Sequence, residues 1–493
     1  MKYVEKEIER VDFAPKTCTW TSPLGDKYFL KIPNTVYPPR EDTNLLAKTL
    51  MNFNSGDGKK LLEIGCGTGV ISILANTLGW QVTGCDINPL AVATSRGLAE
   101  KYNIDNINFL EGGIDPKSNQ SSRIFGNGPF DLILWNLPYL EKPNKNELLG
   151  PLEDASLSNI GGKKLHEILL KKIENENCLS KDGFVILIHN DNGPGRMLSS
   201  ECRKLGWSSR CIKNEVLEDG EKLYSTIIWK PWSSAEKIVL DEVDSTNTYL
   251  LESSFPTGSY AIAKKQTKGR GQRKNNWVHF KGGWCGSWII PLEASSPQII
   301  QAKAALAVIE SIAALNCNEL PTFDYLAMAK FLQNKISIKW PNDLVIDNKK
   351  FSGILCESKT KGEKTVCVVG IGCNLKNENG AIESKFPNAS SLENLIKISE
   401  DQWTKILHAS MASKFENKNY LSGEDDREII KKWWLSMENY NKNHFILIDS
   451  EKYEIKRLLE GGELSLFSAN QDSNHETICE TSYNLEWEQK LFD

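Results

Sequence analysis

The stretch Leu61-Leu62-Glu63-Ile64-Gly65-Cys66-Gly67-Thr68-Gly69 constrains the fold of this chain more than any other. An apolar run that meets three glycines at alternate positions reads as a strand turning sharply into a helix. Glycines there let the backbone approach a ligand, and the helix start offers unpaired N–H groups. Around it, Lys60–Gly65 reads as a strand, Gly69–Leu78 as a helix, Gln81–Asp86 as a strand and Pro89–Tyr102 as a helix, with further strands at Phe130–Trp135 and Gly183–His189. Strands alternating with amphipathic stretches predict an α/β domain built on a doubly wound parallel sheet.

A chain of 493 residues exceeds what one hydrophobic core serves, so more than one domain is expected. Residues 231–236, with Pro231, Trp232 and a Ser pair, read as a linker. A second α/β pattern follows, with a long apolar helix at Pro297–Leu315 and strands at Ser337–Trp340, Leu344–Ile346 and Val366–Ile371. Beyond residue 423, a helix at Ile429–Trp434 and short alternating segments around Gly461-Gly462 predict a small β-barrel. The expected domains are therefore 1–230, 237–422 and 423–493.

Glycine-rich strand–helix turns serve dinucleotides as well as other adenosyl ligands, so the turn alone does not name the chemistry. The next strand ends at Asp86, whose carboxylate can take both hydroxyls of a ribose; the plainer alternative is an N-cap for the helix at Pro89. The decisive element is Asn136-Leu137-Pro138-Tyr139 at the end of an apolar strand. An Asn amide both donates and accepts, so it can hold a planar NH2 group, while the Tyr ring can pack on a flat substrate. That suits methyl transfer to an amide or amine nitrogen and not hydride transfer.

On these residues, positions 33–230 resemble the S-adenosylmethionine-dependent methyltransferases that modify glutamine in translation release factors. The upstream Val36-Tyr37-Pro38-Pro39-Arg40-Glu41-Asp42-Thr43 and Gly161-Gly162 also fit that pattern, while Leu137 departs from the proline usual there. The resemblance implies a Rossmann-like class I fold, with cofactor held by Glu63, Gly65, Cys66, Gly67, Thr68, Gly69, Asp86 and Asn136, and with Asn136, Pro138 and Tyr139 at the reacting centre. The little chain before Tyr37 resembles the compact branch of the family, which works with a small activating partner. Related enzymes methylate bases, so an RNA or DNA amine stays open as the acceptor, as does a non-catalytic scaffold.

Further on, four segments stand in a fixed order: Asp244-Ser245-Thr246-Asn247, Gln266-Thr-Lys-Gly269-Arg270-Gly271-Gln272-Arg273 reaching Trp277, Lys339-Trp-Pro-Asn-Asp343, and Lys350-Phe-Ser-Gly353, followed by Gly370-Ile-Gly-Cys-Asn374. Singly each has a structural explanation as a cap or turn. Together they resemble the catalytic domain of biotin protein ligases, which implies an α+β fold, ATP, biotin and Mg2+ as cofactors, and a biotin carboxyl carrier protein as partner. By that resemblance Ser245, Thr246, Asn247 and Gln266 hold biotin, and Gly269, Arg270, Gly271 and Gln272 form the loop over biotin and adenylate. Trp277 borders adenine, while Gly353 and Asn374 also contact ligand. Lys350 and Arg270 neutralise charge in catalysis, and Asp343 places metal or receives the acceptor lysine. Gln272 and Asn275 stand where the family has arginines, which implies a looser hold on the adenylate unless Arg273 or Lys274 compensates.

The formal net charge of −5 gives no general attraction to nucleic acid or anionic membrane. Twelve cysteines without a CxxC pair exclude a disulfide framework and fit a reducing cytoplasm. Met1–Arg10 has no apolar centre, so no signal peptide is expected, and no membrane span is expected elsewhere. A methyltransferase stands where many ligases carry a DNA-binding domain, so repressor activity is not expected.

Overall fold

The computed structural model describes residues 16–53, 55–114, 124–138, 159–160, 163–190, 193–272, 275–292, 295–316, 336–418, 420–421, 424–469, 476–480 and 485–490. The chain divides into two compact units, one of Met1–Cys202 with Trp207–Lys230, the other of Arg203–Gly206 with Pro231–Asp493.

In the first unit a hairpin of β1 (Lys16–Thr21) and β2 (Lys27–Ile32) precedes α1 (Glu41–Leu50). The sheet then follows: β3 (Lys60–Ile64), α2 (Val70–Thr77), β4 (Gln81–Asp86), α3 (Pro89–Lys101), β5 (Ile107–Glu111), β6 (Phe130–Asn136), α4 (Leu165–Glu176), β7 (Leu179–Asn190), β8 (Ser208–Val216) and β9 (Lys222–Trp229). Its seven strands lie in the order β8-β9-β7-β6-β3-β4-β5. The five from β7 to β5 are mutually parallel, and β9 and β8 add antiparallel at one edge. Parallel strands covered on both faces must be apolar throughout, which is why Leu61, Leu62, Leu132, Ile133 and Leu134 are all fully buried. Gly84 in β4 is needed for close packing: a Cβ would lie 2.8 Å from the Phe109 ring. Reversal of the strand order between β3 and β6 opens a crevice at their carboxyl ends, where such sheets bind ligands.

The second unit holds β10 (Lys237–Leu240), α5 (Thr246–Glu252), β11 (Tyr260–Ala263), β12 (Gly283–Ile290), α6 (Pro297–Leu315), β13 (Ile336–Lys339), β14 (Asp343–Ile346), β15 (Lys349–Lys361) and β16 (Lys364–Asn374). These strands form one sheet in the order β10-β11-β12-β16-β15-β14-β13, antiparallel except for the β10–β11 pair. Helices α6 and α7 (Glu400–Phe415) pack with its Trp284/Trp288 face in the main core. On length and composition α6 would pass for a membrane span, contrary to the expectation that no run does so, but it is buried among its neighbours. Its Lys303 pairs with Asp426 and its Glu310 with Lys414, so the few charges on the helix are met inside the fold.

After α8 (Asp426–Asn443), which runs well past the Ile429–Trp434 helix read from sequence, come β17 (His444–Ile448), β18 (Glu451–Leu458), β19 (Leu464–Ser468), β20 (Glu476–Cys479) and β21 (Glu486–Gln489). They make an antiparallel sheet in the order β20-β19-β18-β17-β21. Among the described residues the tail is a five-stranded antiparallel sheet with no ladder joining β20 to β21, which leaves the small β-barrel expected unconfirmed.

Candidate functional sites

The glycine turn of the first unit has the geometry its sequence requires. Gly65, Gly67 and Gly69 carry φ of +70°, +53° and +83°, a region costly for any residue with a Cβ. At Gly69 an added Cβ would also lie 2.8 Å from Ser95 Cβ. Asp86 clasps the turn from the neighbouring strand: its Oδ2 accepts from Gly67 N at 3.0 Å and its Oδ1 from Asn88 N at 2.9 Å. The N-cap of α3 is Asn88, which accepts from Leu90 N, so Asp86 is not the cap considered from sequence. Glu63 lies buried below the turn and accepts from Ser72 Oγ. Burial pushes its carboxyl up to about 8, with the Asp86 charge adding to the rise. Burial also raises Asp86. Burial is thus the main cause of both rises. Cys66 and Thr68 are buried beside them.

At the end of β6, Asn136 Nδ2 donates to Asp42 Oδ2 at 2.9 Å. The same oxygen accepts from Tyr37 Oη at 3.1 Å, while Asp42 Oδ1 accepts from Thr43 N at 2.6 Å. Asn136 Oδ1 is buried with no hydrogen-bond partner. Leu137 N donates to Ile188 O at 2.9 Å, which fixes the backbone after Asn136. Pro138 is half-buried, whereas Tyr139 lies outside the described residues, as does Gly161-Gly162. The role of Asp42 was not read from the sequence, although its segment was quoted: only the fold brings α1 to β6.

In the second unit a cavity of about 290 Å3 gathers residues far apart in sequence. Ser245, Thr246, Asn247, Gln266, Arg270, Gly271, Gln272, Trp277, Asp343, Lys350 and Gly353 all line it. Gly269 and Asn374 do not: Gly269 O accepts from Trp277 N at 2.9 Å, and the Asn374 amide donates to Ser390 O at 3.0 Å. One end is polar and neutral. Gln266 Oε1 accepts from Thr246 N at 2.8 Å and Thr246 Oγ1 at 3.0 Å, and Ser287 Oγ lies 2.6 Å from both Thr246 Oγ1 and Asn247 Oδ1. Ser245 holds the N-cap position of α5 but makes no capping bond with its side chain. Asn247 Nδ2 donates to Glu357 Oε2 at 2.8 Å, and the same oxygen receives Arg270 Nη2 at 3.1 Å. Gln272 Nε2 donates to Gln301 Oε1 on α6 at 2.8 Å, tying the loop to the core helix.

The other end is charged. Asp347 and Asn348, both at positive φ, make the two-residue turn joining β14 to β15 and so set its register. That register brings Lys350 Nζ to 2.6 Å from Asp343 Oδ1. Gly353 leaves room for the pair, since a Cβ there would sit 3.0 Å from Lys350 Cε. Gly372 does the same for Trp277, whose ring would lie 2.3 Å from an added Cβ. Lys339 also lines this end, and burial lowers its pKa, with Lys350 pushing the same way. Ser287, Glu357, Lys339 and Trp487 are site residues without a role in the sequence reading. Lys339 stood in a quoted segment and Glu357 follows another four residues on, whereas Ser287 and Trp487 carry no local signal.

Comparison with known proteins places both halves. A model of the Biotin/lipoate A/B protein ligase family matches residues 239–374, and one of a methyltransferase domain matches residues 55–242. A Methanocaldococcus jannaschii protein provisionally named a protein N5-glutamine methyltransferase is 36% identical over 182 residues, covering 36% of this chain and 84% of that protein. Biotin–protein ligase 2 of Arabidopsis thaliana is 32% identical over 194 residues, 39% of this chain. The match takes in 52% of that ligase, so the chain spans about half its length. A solved biotin protein ligase of Aquifex aeolicus, in complex with biotin and ATP, aligns over 52% of this chain and 99% of its own at 23% identity and a TM-score of 0.39. The chain thus belongs to the family of the Methanocaldococcus methyltransferase and joins that domain to a biotin/lipoate protein ligase domain, making it an enzyme of this fused type.

Proposed function

We propose that the second unit activates biotin with ATP to biotinyl-AMP and passes the biotinyl group to a lysine of a carrier protein. The observation that carries this reading is one cavity lined both by the uncharged Thr246 and Gln266 and by the cations Lys339 and Lys350, the latter paired with Asp343. The neutral end suits the ureido ring, with Ser245, Thr246, Asn247 and Gln266 supplying donors and acceptors. Lys350 would offset the charge of a biotin carboxylate attacking the α-phosphate. Trp277 offers its ring to adenine, and Arg270 leaves Glu357 to cover the adenylate. Mg2+ would find one carboxylate oxygen of Asp343 here, the rest of its shell coming from phosphates and water, and when bound it would offset triphosphate charge. Incubating the full chain with ATP, biotin and a biotin carboxyl carrier domain tests this, and no transfer by folded protein would overturn it.

For the first unit the proposed reaction is methyl transfer from S-adenosylmethionine to the amide nitrogen of a release-factor glutamine. The unpartnered Asn136 Oδ1 supports it, as an acceptor for one hydrogen of the substrate NH2. An amide nitrogen held there would be oriented for attack on the methyl group that the cofactor would supply, and orientation would provide much of the rate. The glycine turn with Asp86 suits the adenosyl ribose. Radiolabelled cofactor offered with release factor or with total RNA separates the acceptors; label in RNA alone would replace glutamine by a base. A small activating partner belongs to the same proposal. So does a cytoplasmic setting, which the free cysteines among the described residues support.

A further inference from the structure

Two asparagine amides stand on one face of the first sheet, at the carboxyl ends of neighbouring strands, and both are held in the same way. Asn136 pairs with Ile188 in the parallel β6–β7 ladder, so Asn190, two residues on, turns its side chain to the face that Asn136 occupies. Strand spacing and rise put the two Cα atoms roughly 8 Å apart. Asn136 ties its Nδ2 to the Asp42 carboxylate, and Asn190 ties its Nδ2 to Glu221 Oε1 at 2.8 Å. Each bond sets the amide's orientation and leaves Oδ1 as the free end. Both Oδ1 atoms are buried without a hydrogen-bond partner among the described residues. Asn190 is 3% exposed, and its backbone is fixed as well: it pairs with Leu223 of β9, and His189 Nδ1 donates to Asn190 O at 3.1 Å.

A buried acceptor without a partner is destabilising, and a second of the same build beside it points to a ligand that brings donors for both. We infer that Asn190 is a second substrate-binding residue of the methyltransferase unit, its Oδ1 accepting from a peptide N–H of the acceptor protein while Asn136 holds the side-chain amide. This rests on the glutamine reading of the first unit and adds a contact to it. The two asparagines are too far apart to share one NH2 group, so Asn190 must take a different donor. A glutamine carries one a few bonds from its side-chain nitrogen, in its own backbone N–H, and its chain neighbour carries another. The amines of adenine and cytosine are instead flanked by ring nitrogens that only accept, and these would set lone pair against lone pair at Asn190 Oδ1. The second acceptor therefore selects for a peptide around the methylated nitrogen.

The test is steady-state methylation of a release factor by the full chain, with S-adenosylmethionine affinity measured by calorimetry on the same proteins. Asn190→Leu is expected to raise the release-factor KM at least fivefold, with a smaller fall in kcat and cofactor affinity within twofold of the wild type. Asn190→Ala adds no bulk, should give the same rise, and carries the test if the leucine variant does not fold. Glu221→Ala leaves Asn190 in place but untied, and should raise KM by less. A release-factor KM within twofold of the wild type in folded Asn190→Ala would overturn the role of Asn190 and leave the glutamine reading intact. A wild-type chain that labels RNA, or nothing, in place of the release factor overturns both.

Discussion

Asp42 accepts from Asn136 Nδ2 at 2.9 Å, and this bond fixes which end of the Asn136 amide faces α1. With Nδ2 tied to a carboxylate, Oδ1 is the atom left without a partner. Replacing Asp42 by Ala frees the amide to rotate and removes the Tyr37 contact at the same time. A charge-assisted bond of this kind is worth about 1.5–3 kcal/mol. The expected result is a fall in methyl-transfer kcat of about tenfold or more, each tenfold being about 1.4 kcal/mol. S-adenosylmethionine affinity by calorimetry should fall much less than kcat, because Asp42 bonds Asn136 and not the glycine turn. An equal loss in cofactor binding would show that the role is structural.

Glu63 makes the stability of the first unit fall as pH rises. Its carboxyl stands at about 8 when folded against an ordinary 4.5, so the unfolded chain releases its proton first. The stabilisation is full below pH 4.5 and is lost as pH rises through 8. Calorimetry should show the transition that S-adenosylmethionine shifts moving down between pH 6.5 and pH 8, above the range in which buried His189, lowered to about 4, pushes the other way. Glu63→Gln keeps a partner for Ser72 but cannot ionise, and should flatten most of that slope. A slope identical in wild type and variant would refute the assignment.

Gly372→Ala tests the seat of Trp277. The new methyl would lie 2.3 Å from the indole, so the ring must leave its place. Overpacking of this kind costs about 1–3 kcal/mol. ATP affinity should fall at least fivefold, with a smaller effect on biotin. In a Trp277→Ala background the same substitution should change ATP affinity little, since nothing remains to collide with it. Additive losses in the double variant would show that the clash lies elsewhere.

Gln272 bonds Gln301 and so anchors the cavity loop to α6 with a neutral contact. An arginine there could form a charge-assisted bond to an adenylate, worth roughly 1.4 kcal/mol more, or tenfold in retention. Gln272→Arg should reduce biotin labelling of an unrelated bystander protein several-fold relative to the wild type. Equal labelling would mean that other cations already hold the intermediate.

Much of this molecule was legible from sequence because the signals are local. Positive φ at Gly65, Gly67 and Gly69 follows from a tight strand-to-helix turn, and the apolar runs of β3 and β6 follow from burial on both faces. Sequence order also sufficed to bring out the two sets of motifs. What only the tertiary structure decided was pairing across long separations. Asp42 and Asn136 are 94 residues apart, and Glu357 meets Asn247 across 110. Asn374, placed by its motif at the ligand, is turned instead to Ser390. Trp487 reaches the ligase cavity from the last described strand. None of these could be read in advance, because a side chain's partner depends on which elements pack together. That packing is settled by burial summed over the whole core, whereas capping, turn geometry and glycine conformation are settled within a few residues of chain.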